Sequence, residues 1–260
     1  MVECYRMMLE AAAPLNLNVK ILAESGSPAS QICSPQNFLE GDYKNLDAIR
    51  AFAKDLDILT CEIEHINLDA LVVIQKESPQ LRIQPDIQTV RTIQDKYVQK
   101  LHFEKYEIPG AEFADVDPSQ PVECIKKVAK SFGYPLLLKA KKNAYDGRGN
   151  AVVKSAEHIE AALKSLSFPA IPVYVEKMVT FEKEVACMVA KSDSEIKCYP
   201  AVETIQKDGI CHLVIAPAQI DGLLCSKIQE VAQRAVQSLS GTGIFGVEMF
   251  LCADGIPICP

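Results

Sequence analysis

The chain has 260 residues, of which 48% are hydrophobic and 23% are charged, proportions typical of an ordinary globular protein. Its formal net charge of −7 argues against nucleic acid or an anionic membrane as a partner, because both require a net basic face. The 10 cysteines form no C-x-x-C pair and are accompanied by only 4 histidines, so metal-ligand spacing is absent. Since there is neither a signal peptide nor a long apolar run, we expect a soluble, cytoplasmic protein with reduced thiols.

The first half of the chain alternates helical and extended patterns. We expect helices over residues 6–13, 47–54, 68–74 and 89–106, and strands over residues 19–23 and 58–65. This alternation predicts a parallel α/β sheet. The helix at 6–13 needs a strand before it, and only 5 residues precede it, so we expect the first element to be missing.

Three charged residues of this half are candidates for ligand contacts. Glu62 and Glu64 stand at the end of the predicted strand 58–65, where ligands lie in open α/β sheets. The alternative is that both carboxylates simply face water. Lys96 lies on the predicted helix 89–106, where a solvated lysine is the default interpretation.

The second half mixes the two patterns differently. We expect helices over 122–132, 157–165 and 221–239, and strands over 136–138, 151–153, 174–179, 184–190, 196–202, 210–216 and 243–251. Asp254-Gly255 predicts a hairpin turn with a partner strand after it, although the prolines of residues 256–260 fit a strand poorly.

A polar loop with two glycines joins the predicted strands at 136–138 and 151–153. Gly147 and Gly149 allow the backbone to approach a ligand closely, and successive N–H groups in such a loop suit phosphate oxygens. Lys139 and Arg148 would add positive charge. The alternative is a β-hairpin with solvated basic residues, but a lysine behind three leucines would be an expensive unpaired charge. The pattern favours a triphosphate as ligand.

Four charges of the second half lie in or beside apolar strands: Lys139, Glu176, Glu184 and Glu248. Glu248 is the only charged residue in the strand 243–251, so its carboxylate must be neutral, paired or bound to a cation. Lysines around a phosphate loop, together with carboxylates for a divalent cation and for a ribose hydroxyl, indicate nucleotide chemistry.

The loop sequence NAYDGRGN of residues 143–150 resembles the AYDGRGN signature of carboxyaminoimidazole ribonucleotide synthetases, the ATP-grasp enzymes of purine biosynthesis. In fungi this enzyme is the N-terminal part of phosphoribosylaminoimidazole carboxylase. Further segments resemble the family along nearly the whole chain: residues 6–12 (RMMLEAA), 60–65 (TCEIEH), 94–100 (QDKYVQK) and 246–250 (GVEMF).

The resemblance implies an ATP-grasp fold preceded by a Rossmann-like parallel α/β domain, with residues 1–108 as the pre-ATP-grasp domain and 109–260 as the ATP-grasp domain. It implies ATP contacts for Lys96, Lys139, Tyr145, Asp146, Gly147, Arg148, Gly149, Asn150, Glu176, Lys177, Met178, Val179 and Glu184. It further implies catalytic roles for Lys139, Arg148 and Glu248, a Mg²⁺ contact for Glu248, and substrate contacts for Glu62 and Glu64. Gln206 stands where some relatives carry a histidine on the phosphate side.

The implied reaction is ATP-dependent phosphorylation of bicarbonate to carboxyphosphate, followed by carboxylation of aminoimidazole ribonucleotide, in an enzyme that can form a homodimer. The chain departs from the family at both ends. It lacks the first strand with its G-x-G-Q-L-G-R loop, the Asn-Glu pair expected after Glu248, and the fungal mutase domain, so we expect a truncated member. The alternatives are an inactive ATP-binding fragment and another ATP-grasp carboxylase or ligase, such as a relative of biotin carboxylase.

Overall fold

A computed structural model describes residues 3–142, 149–207 and 209–259, without the side chains of Glu3 and Cys4. The chain divides into two compact units, Met1–Arg91 (unit 1) and Thr92–Pro260 (unit 2). In these described ranges no helix combines the length and the apolar character that crossing a bilayer requires.

Unit 1 holds two short β-sheets and the helices that cover them. Its elements are α1 (Glu3–Ala12), β1 (Ile21–Ala23), β2 (Phe38–Glu40), α2 (Leu46–Ala53), β3 (Ile58–Thr60), α3 (Leu68–Glu77), β4 (Arg82–Gln84) and α4 (Ile87–Gln94), which runs across the boundary. β1 pairs with β2 and β3 with β4, both in parallel, which confirms the predicted parallel pairing. The core of this unit contains Ile49, Leu59, Leu71 and Ile83.

The expected strand 58–65 is shorter in the structure, which is a correction to the prediction. β3 pairs with β4 only from Ile58 opposite Arg82 to Thr60 opposite Gln84. Pro85 follows Gln84 and has no N–H to donate, so the ladder ends there. Glu62 and Glu64 therefore lie in the turn after the strand.

The expected helix 89–106 was also wrong as a single element. It is two helices, α4 and α5 (Lys96–Lys105), separated by Asp95 in an extended conformation. The Asp95 carboxylate accepts the backbone N–H groups of Tyr97 and Val98 and so caps α5. A short acidic side chain satisfies the free N–H groups of a helix start better than it tolerates a helix interior.

The first sheet of unit 2 has four strands in the order β5-β8-β6-β7, with helices on one face. Its elements are β5 (Phe113–Asp115), α6 (Pro121–Phe132), β6 (Leu136–Ala140), β7 (Asn150–Val153), α7 (Ile159–Ser165) and β8 (Val173–Lys177). β6 and β7 pair antiparallel, in agreement with the two strands predicted on either side of the polar loop. Leu136, Leu138 and Val175 pack with Ile125 of α6 and Ile159 of α7 in one buried cluster.

The second sheet of unit 2 has six strands and packs against one long helix. Its elements are β9 (Lys183–Lys191), β10 (Ile196–Cys198), β11 (Val202–Lys207), β12 (Ile210–Ile215), α8 (Gly222–Gln237), β13 (Gly243–Leu251) and β14 (Pro257–Ile258). Val185, Cys187 and Met249 of the sheet pack with Ile228 and Ala232 of α8. The opposite face of β9 and β13 carries Glu184 and Glu248 among apolar side chains such as Met188, Ile244 and Phe250.

One expected strand of this sheet is divided in the structure, and one expected partner strand is confirmed. The expected strand 196–202 is split into β10 and β11, because Pro200 lies between them and cannot donate to a ladder. The partner strand predicted after Asp254-Gly255 does form, as the two residues of β14 antiparallel to β13. Pro257 is accommodated at this short outer strand, where one missing N–H costs little.

Candidate active site

Lys139 and Glu176 lie side by side on the face of the four-stranded sheet that is opposite α6 and α7 and against which α5 packs. Side chains alternate along β6, so Leu136 and Leu138 point to the helices while Lys139 points to the other face. Leu137 is opposite Glu176 in the β6–β8 register, which places Glu176 diagonal to Lys139 on the same face. Lys139 Nζ lies 2.7 Å from Glu176 Oε1, and the two side chains are 13% and 3% exposed.

A second lysine, Lys100 of α5, reaches the same carboxylate. Its Nζ lies 2.8 Å from Glu176 Oε2 and donates a hydrogen bond of 3.2 Å to the backbone carbonyl of Cys259. The Lys100 side chain is 5% exposed. Burial lowers the pKa of Lys100, as does the nearby Lys139 charge, whereas the Glu176 charge opposes the shift.

The three side chains form what we call the lysine–glutamate cluster: Lys100, Lys139 and Glu176. Two ammonium groups and one carboxylate leave it with a net charge of +1. Oε2 of Glu176 makes no aligned hydrogen bond among the described residues, so its contact with Lys100 is an ion pair. A buried group of atoms with an uncompensated positive charge favours an anion at its open side.

The basic residues around this cluster are paired locally. The backbone N–H of Lys96 donates to the carbonyl of Lys141 at 2.7 Å, which holds the start of α5 at the end of β6. Lys141 Nζ lies 2.6 Å from Asp115, and Lys142 Nζ lies 3.7 Å from Asp95. Lys141 and Lys142 thus each have a carboxylate nearby, whereas the cluster has two lysines for one carboxylate.

The predicted phosphate loop is only partly described. Gly149 has a φ of +91°, a conformation that suits glycine, and its carbonyl accepts the N–H of Ala140 at 2.8 Å. Asn150 begins β7 directly opposite Lys139. The predictions for Tyr145, Asp146, Gly147 and Arg148 lie outside the described residues.

The segment after β8 is held against β5. The backbone N–H of Lys177 donates to the carbonyl of Glu112 at 2.9 Å, and the two side chains form an ion pair. Met178 is exposed and Val179 is half-buried. Two residues further on, Phe181 stacks on Phe250 of β13 with ring centroids 4.2 Å apart and planes within 5°.

Glu184 and Glu248 lie on the uncovered face of the six-stranded sheet. Glu248 is opposite Ala186 and Phe250 opposite Glu184 in the β9–β13 register, so the two glutamates are diagonal neighbours. Gln206 of β11 hydrogen-bonds to Glu184. Burial raises the pKa of Glu184, the Gln206 hydrogen bond opposes this shift, and the Glu248 charge adds to it.

These two carboxylates fit a hard divalent cation. No group of three or more His, Cys, Asp and Glu side chains with metal-site geometry occurs in the described part of the chain. Mg²⁺, however, is commonly held by one or two carboxylates together with substrate phosphates. A cation here would relieve the repulsion that raises the pKa of Glu184, so the donor set is suited to Mg²⁺ bound with a nucleotide.

Glu62 and Glu64 belong to unit 1, so they lie in a separate part of the structure from the lysine–glutamate cluster. Glu62 borders a cavity of about 330 Å³ after β1 and β3, which Ser27 and Tyr43 also line. The Oε2 atom of Glu62 and the Oγ atom of the buried Ser27 have no hydrogen-bond partner among the described residues. Glu64 lies 3.8 Å from the ring of His65. The cavity thus offers two buried polar atoms to a polar ligand.

Sequence reasoning missed Lys100 and Ser27 as site residues. Lys100 is one helical turn beyond Lys96, in a stretch of α5 that mixes polar and apolar residues, and nothing in that stretch distinguishes a buried lysine from a solvated one. The signal for a second lysine lies in β8, at Glu176. A glutamate in the apolar strand β8 needs a positive partner, and Lys139 alone leaves one of its oxygens to be matched.

Comparison with known proteins shows the family to which the chain belongs. The profile of the ribonucleotide synthetase preATP-grasp domain matches residues 4–94, and that of the ATP-grasp domain matches residues 101–259. The chain is 44% identical over 247 residues to the phosphoribosylaminoimidazole carboxylase of Candida albicans, covering 95% of this chain and 43% of that protein. It therefore spans less than half the length of this relative.

Two solved structures from Aspergillus clavatus match 98% of this chain, which covers 65% of each. The carboxyaminoimidazole ribonucleotide synthase in complex with ATP is 41% identical with a TM-score of 0.89. The N5-carboxyaminoimidazole synthase in complex with ADP and 5-aminoimidazole ribonucleotide is 40% identical with a TM-score of 0.90. The predicted fold class is confirmed: the chain belongs to the ATP-grasp family, with a ribonucleotide synthetase pre-ATP-grasp domain ahead of its ATP-grasp domain.

Proposed function

We propose that the chain carries out the ATP-dependent carboxylation of aminoimidazole ribonucleotide with bicarbonate, a step of purine biosynthesis. The observation that carries the proposal is the buried lysine–glutamate cluster, whose surplus positive charge lies at the end of the β6–β7 hairpin. The two similar solved structures also support it, because they are complexes with ATP and with ADP and aminoimidazole ribonucleotide.

In this proposal the nucleotide is held by both sheets of unit 2. Lys96, Lys139 and residues 145–150, with Arg148 among them, contact the phosphates. The backbone of residues 176–179 lies along the adenine, and Glu184 accepts a ribose hydroxyl. The half-buried position of Glu184 beside Gln206 suits this role, because a buried carboxylate gains from a hydroxyl donor.

Glu248 would hold Mg²⁺ together with phosphate oxygens, with Glu184 as its close neighbour on the sheet. When bound, the cation supplies neutralisation of the charge on the phosphate oxygens. Lys96 and Lys139 also neutralise charge on the phosphate oxygens. Lys139 is suited to this because it already lies in a desolvated place, where its charge acts more strongly than in water.

The reaction then has two steps. A bicarbonate oxygen attacks the γ-phosphorus of ATP, the bond to ADP breaks, and carboxyphosphate forms. The amine of aminoimidazole ribonucleotide attacks the carboxyl carbon, phosphate leaves and the amine loses a proton. Excluding water from the site protects the labile carboxyphosphate.

We place aminoimidazole ribonucleotide at the Glu62 cavity of unit 1. Its ribose hydroxyls and amine are donors for Glu62 Oε2, and Ser27 Oγ can serve either as donor or as acceptor. Glu64 stands two residues further along the same turn. The two unpartnered atoms are the support for this placement, since buried polar atoms normally have a hydrogen-bond partner.

The test is an ADP-release assay of the purified 260-residue chain with ATP, Mg²⁺ and bicarbonate, with and without aminoimidazole ribonucleotide. We expect ADP release that depends on the ribonucleotide. ATP binding in calorimetry without turnover would instead identify an inactive ATP-binding chain. Turnover with a different acceptor, such as biotin, would identify another ATP-grasp carboxylase or ligase.

A further inference from the structure

The Lys100 ammonium is buried against groups of the chain itself, with its side chain 5% exposed. Its Nζ is enclosed by Glu176 Oε2 and the Cys259 carbonyl, and a Cβ added to Gly110 would lie 3.9 Å from it. Lys100 also borders a cavity of about 330 Å³, but Glu104 and Glu112 line the same cavity. Glu112 is paired with Lys177, and the Glu104 carboxylate leaves that space without a surplus of positive charge for a phosphate.

Without Lys100, the pair formed by Lys139 and Glu176 would be neutral. A neutral pair has little net attraction for a polyphosphate, and drawing Lys139 towards a phosphate would leave Glu176 as an uncompensated buried carboxylate. With Lys100 in place, Glu176 keeps a partner at 2.8 Å, whichever way Lys139 turns.

We propose that Lys100 is a positioning residue that neutralises Glu176 and so releases the positive charge of Lys139 for the nucleotide phosphates. The inference rests on the proposed nucleotide site and deepens it. ATP affinity should therefore follow the net charge of the lysine–glutamate cluster, including the charge of Lys100, which does not contact the ligand.

The test compares four chains: the parent with a cluster charge of +1, Lys100→Met with 0, Glu176→Gln with +2 when both lysines keep their protons, and the double variant with +1 again. ATP affinity is measured by calorimetry, with uncharged adenosine as a second ligand. We expect Lys100→Met to weaken ATP binding at least tenfold, because one charge acting over roughly 12 Å at an effective dielectric constant of about 20 already corresponds to a tenfold change. The double variant should recover to within about twofold of the parent, and Glu176→Gln should bind at least as tightly as the parent. Adenosine affinity should be the same in the parent and the Lys100→Met chain, because Lys100 is not among the residues placed at the adenine or the ribose.

A merely structural role for Lys100 predicts the opposite pattern. Both single variants would then weaken ATP and adenosine alike, and the double variant would be no better than either. Lys105→Met is the matched control, because it removes the same charge from an exposed position on the same helix and should leave affinity unchanged.

Failure of this inference is distinguishable from failure of the nucleotide site. If the parent chain does not bind ATP, the proposed function fails. If the parent binds ATP and the affinities do not follow cluster charge, only the role of Lys100 fails. Should Lys100→Met not fold in a thermal melt, the comparison of Glu176→Gln with the parent decides, since a loss of ATP affinity in Glu176→Gln would overturn the inference.

Discussion

Replacing Lys139 by methionine is the perturbation that the lysine–glutamate cluster makes most informative. Methionine keeps the length and the apolar stem of the side chain and removes the ammonium group. A hydrogen bond between a charged donor and a phosphate contributes about 1.5–3 kcal/mol, so the dissociation constant for ATP should rise about 10- to 150-fold. Because Glu176 keeps Lys100 at 2.8 Å, the variant does not leave the carboxylate unpaired. Its loss of stability should stay below the roughly 3–5 kcal/mol of a broken buried pair.

The assay is calorimetric titration of ATP into the parent and the Lys139→Met chain, with urea unfolding of both. Lys130→Met serves as control, because Lys130 is exposed on α6 and its loss changes the net charge equally. A Lys139→Met chain that is folded and binds ATP as tightly as the parent would refute the phosphate role of Lys139.

Two further predictions concern the six-stranded sheet. Glu248→Gln should weaken the Mg²⁺-dependent part of ATP binding, measured by calorimetry with and without Mg²⁺. It should also lower the pKa of Glu184 towards its ordinary value, measured by NMR titration. As a control, Glu195→Gln at an exposed position should change neither quantity. Glu203→Gln should destabilise the chain by about 1–3 kcal/mol in urea unfolding, because Lys183 Nζ at 2.8 Å loses its charged acceptor. The hydrogen bond from Lys183 lowers the pKa of Glu203 below its ordinary 4.5, so this contribution is complete above that pH and disappears as the pH falls through the folded pKa. An unchanged difference between parent and variant in acid would contradict that assignment.

Much of the fold could be predicted because its signals are local. The apolar spacing of α8 and the two apolar runs around the Gly147–Gly149 loop needed no knowledge of distant residues. The errors arose where a distant or competing contact ends an element. β3 ends at Thr60 because its partner strand reaches Pro85, and the predicted helix 89–106 breaks where Asp95 caps α5. Pro85 lies outside the segment 58–65, and the helical spacing of residues 89–106 does not show that Asp95 within it caps a second helix.

The site residues could be predicted where they give a local signal in the sequence, and not where only packing brings them to the site. Strand-borne charges such as Lys139 and Glu248 stand out in sequence because each interrupts an apolar strand. Lys100 does not stand out, since lysine is common on polar helix faces and only the packing of α5 against β8 buries it. The sequence also could not indicate that Ser27 faces a cavity with Glu62, because 35 positions of chain separate them and only the fold brings them together.

The most direct test of the central claim, that ATP is used to activate bicarbonate for transfer to aminoimidazole ribonucleotide, is an oxygen-transfer measurement. The purified chain is incubated with ATP, Mg²⁺, aminoimidazole ribonucleotide and bicarbonate fully labelled with ¹⁸O, and the released phosphate is analysed by mass spectrometry. Because a bicarbonate oxygen attacks the γ-phosphorus and stays on it, the account predicts phosphate carrying one labelled oxygen. Phosphate released without label would mean that water or another acceptor takes the phosphoryl group, and would contradict the account.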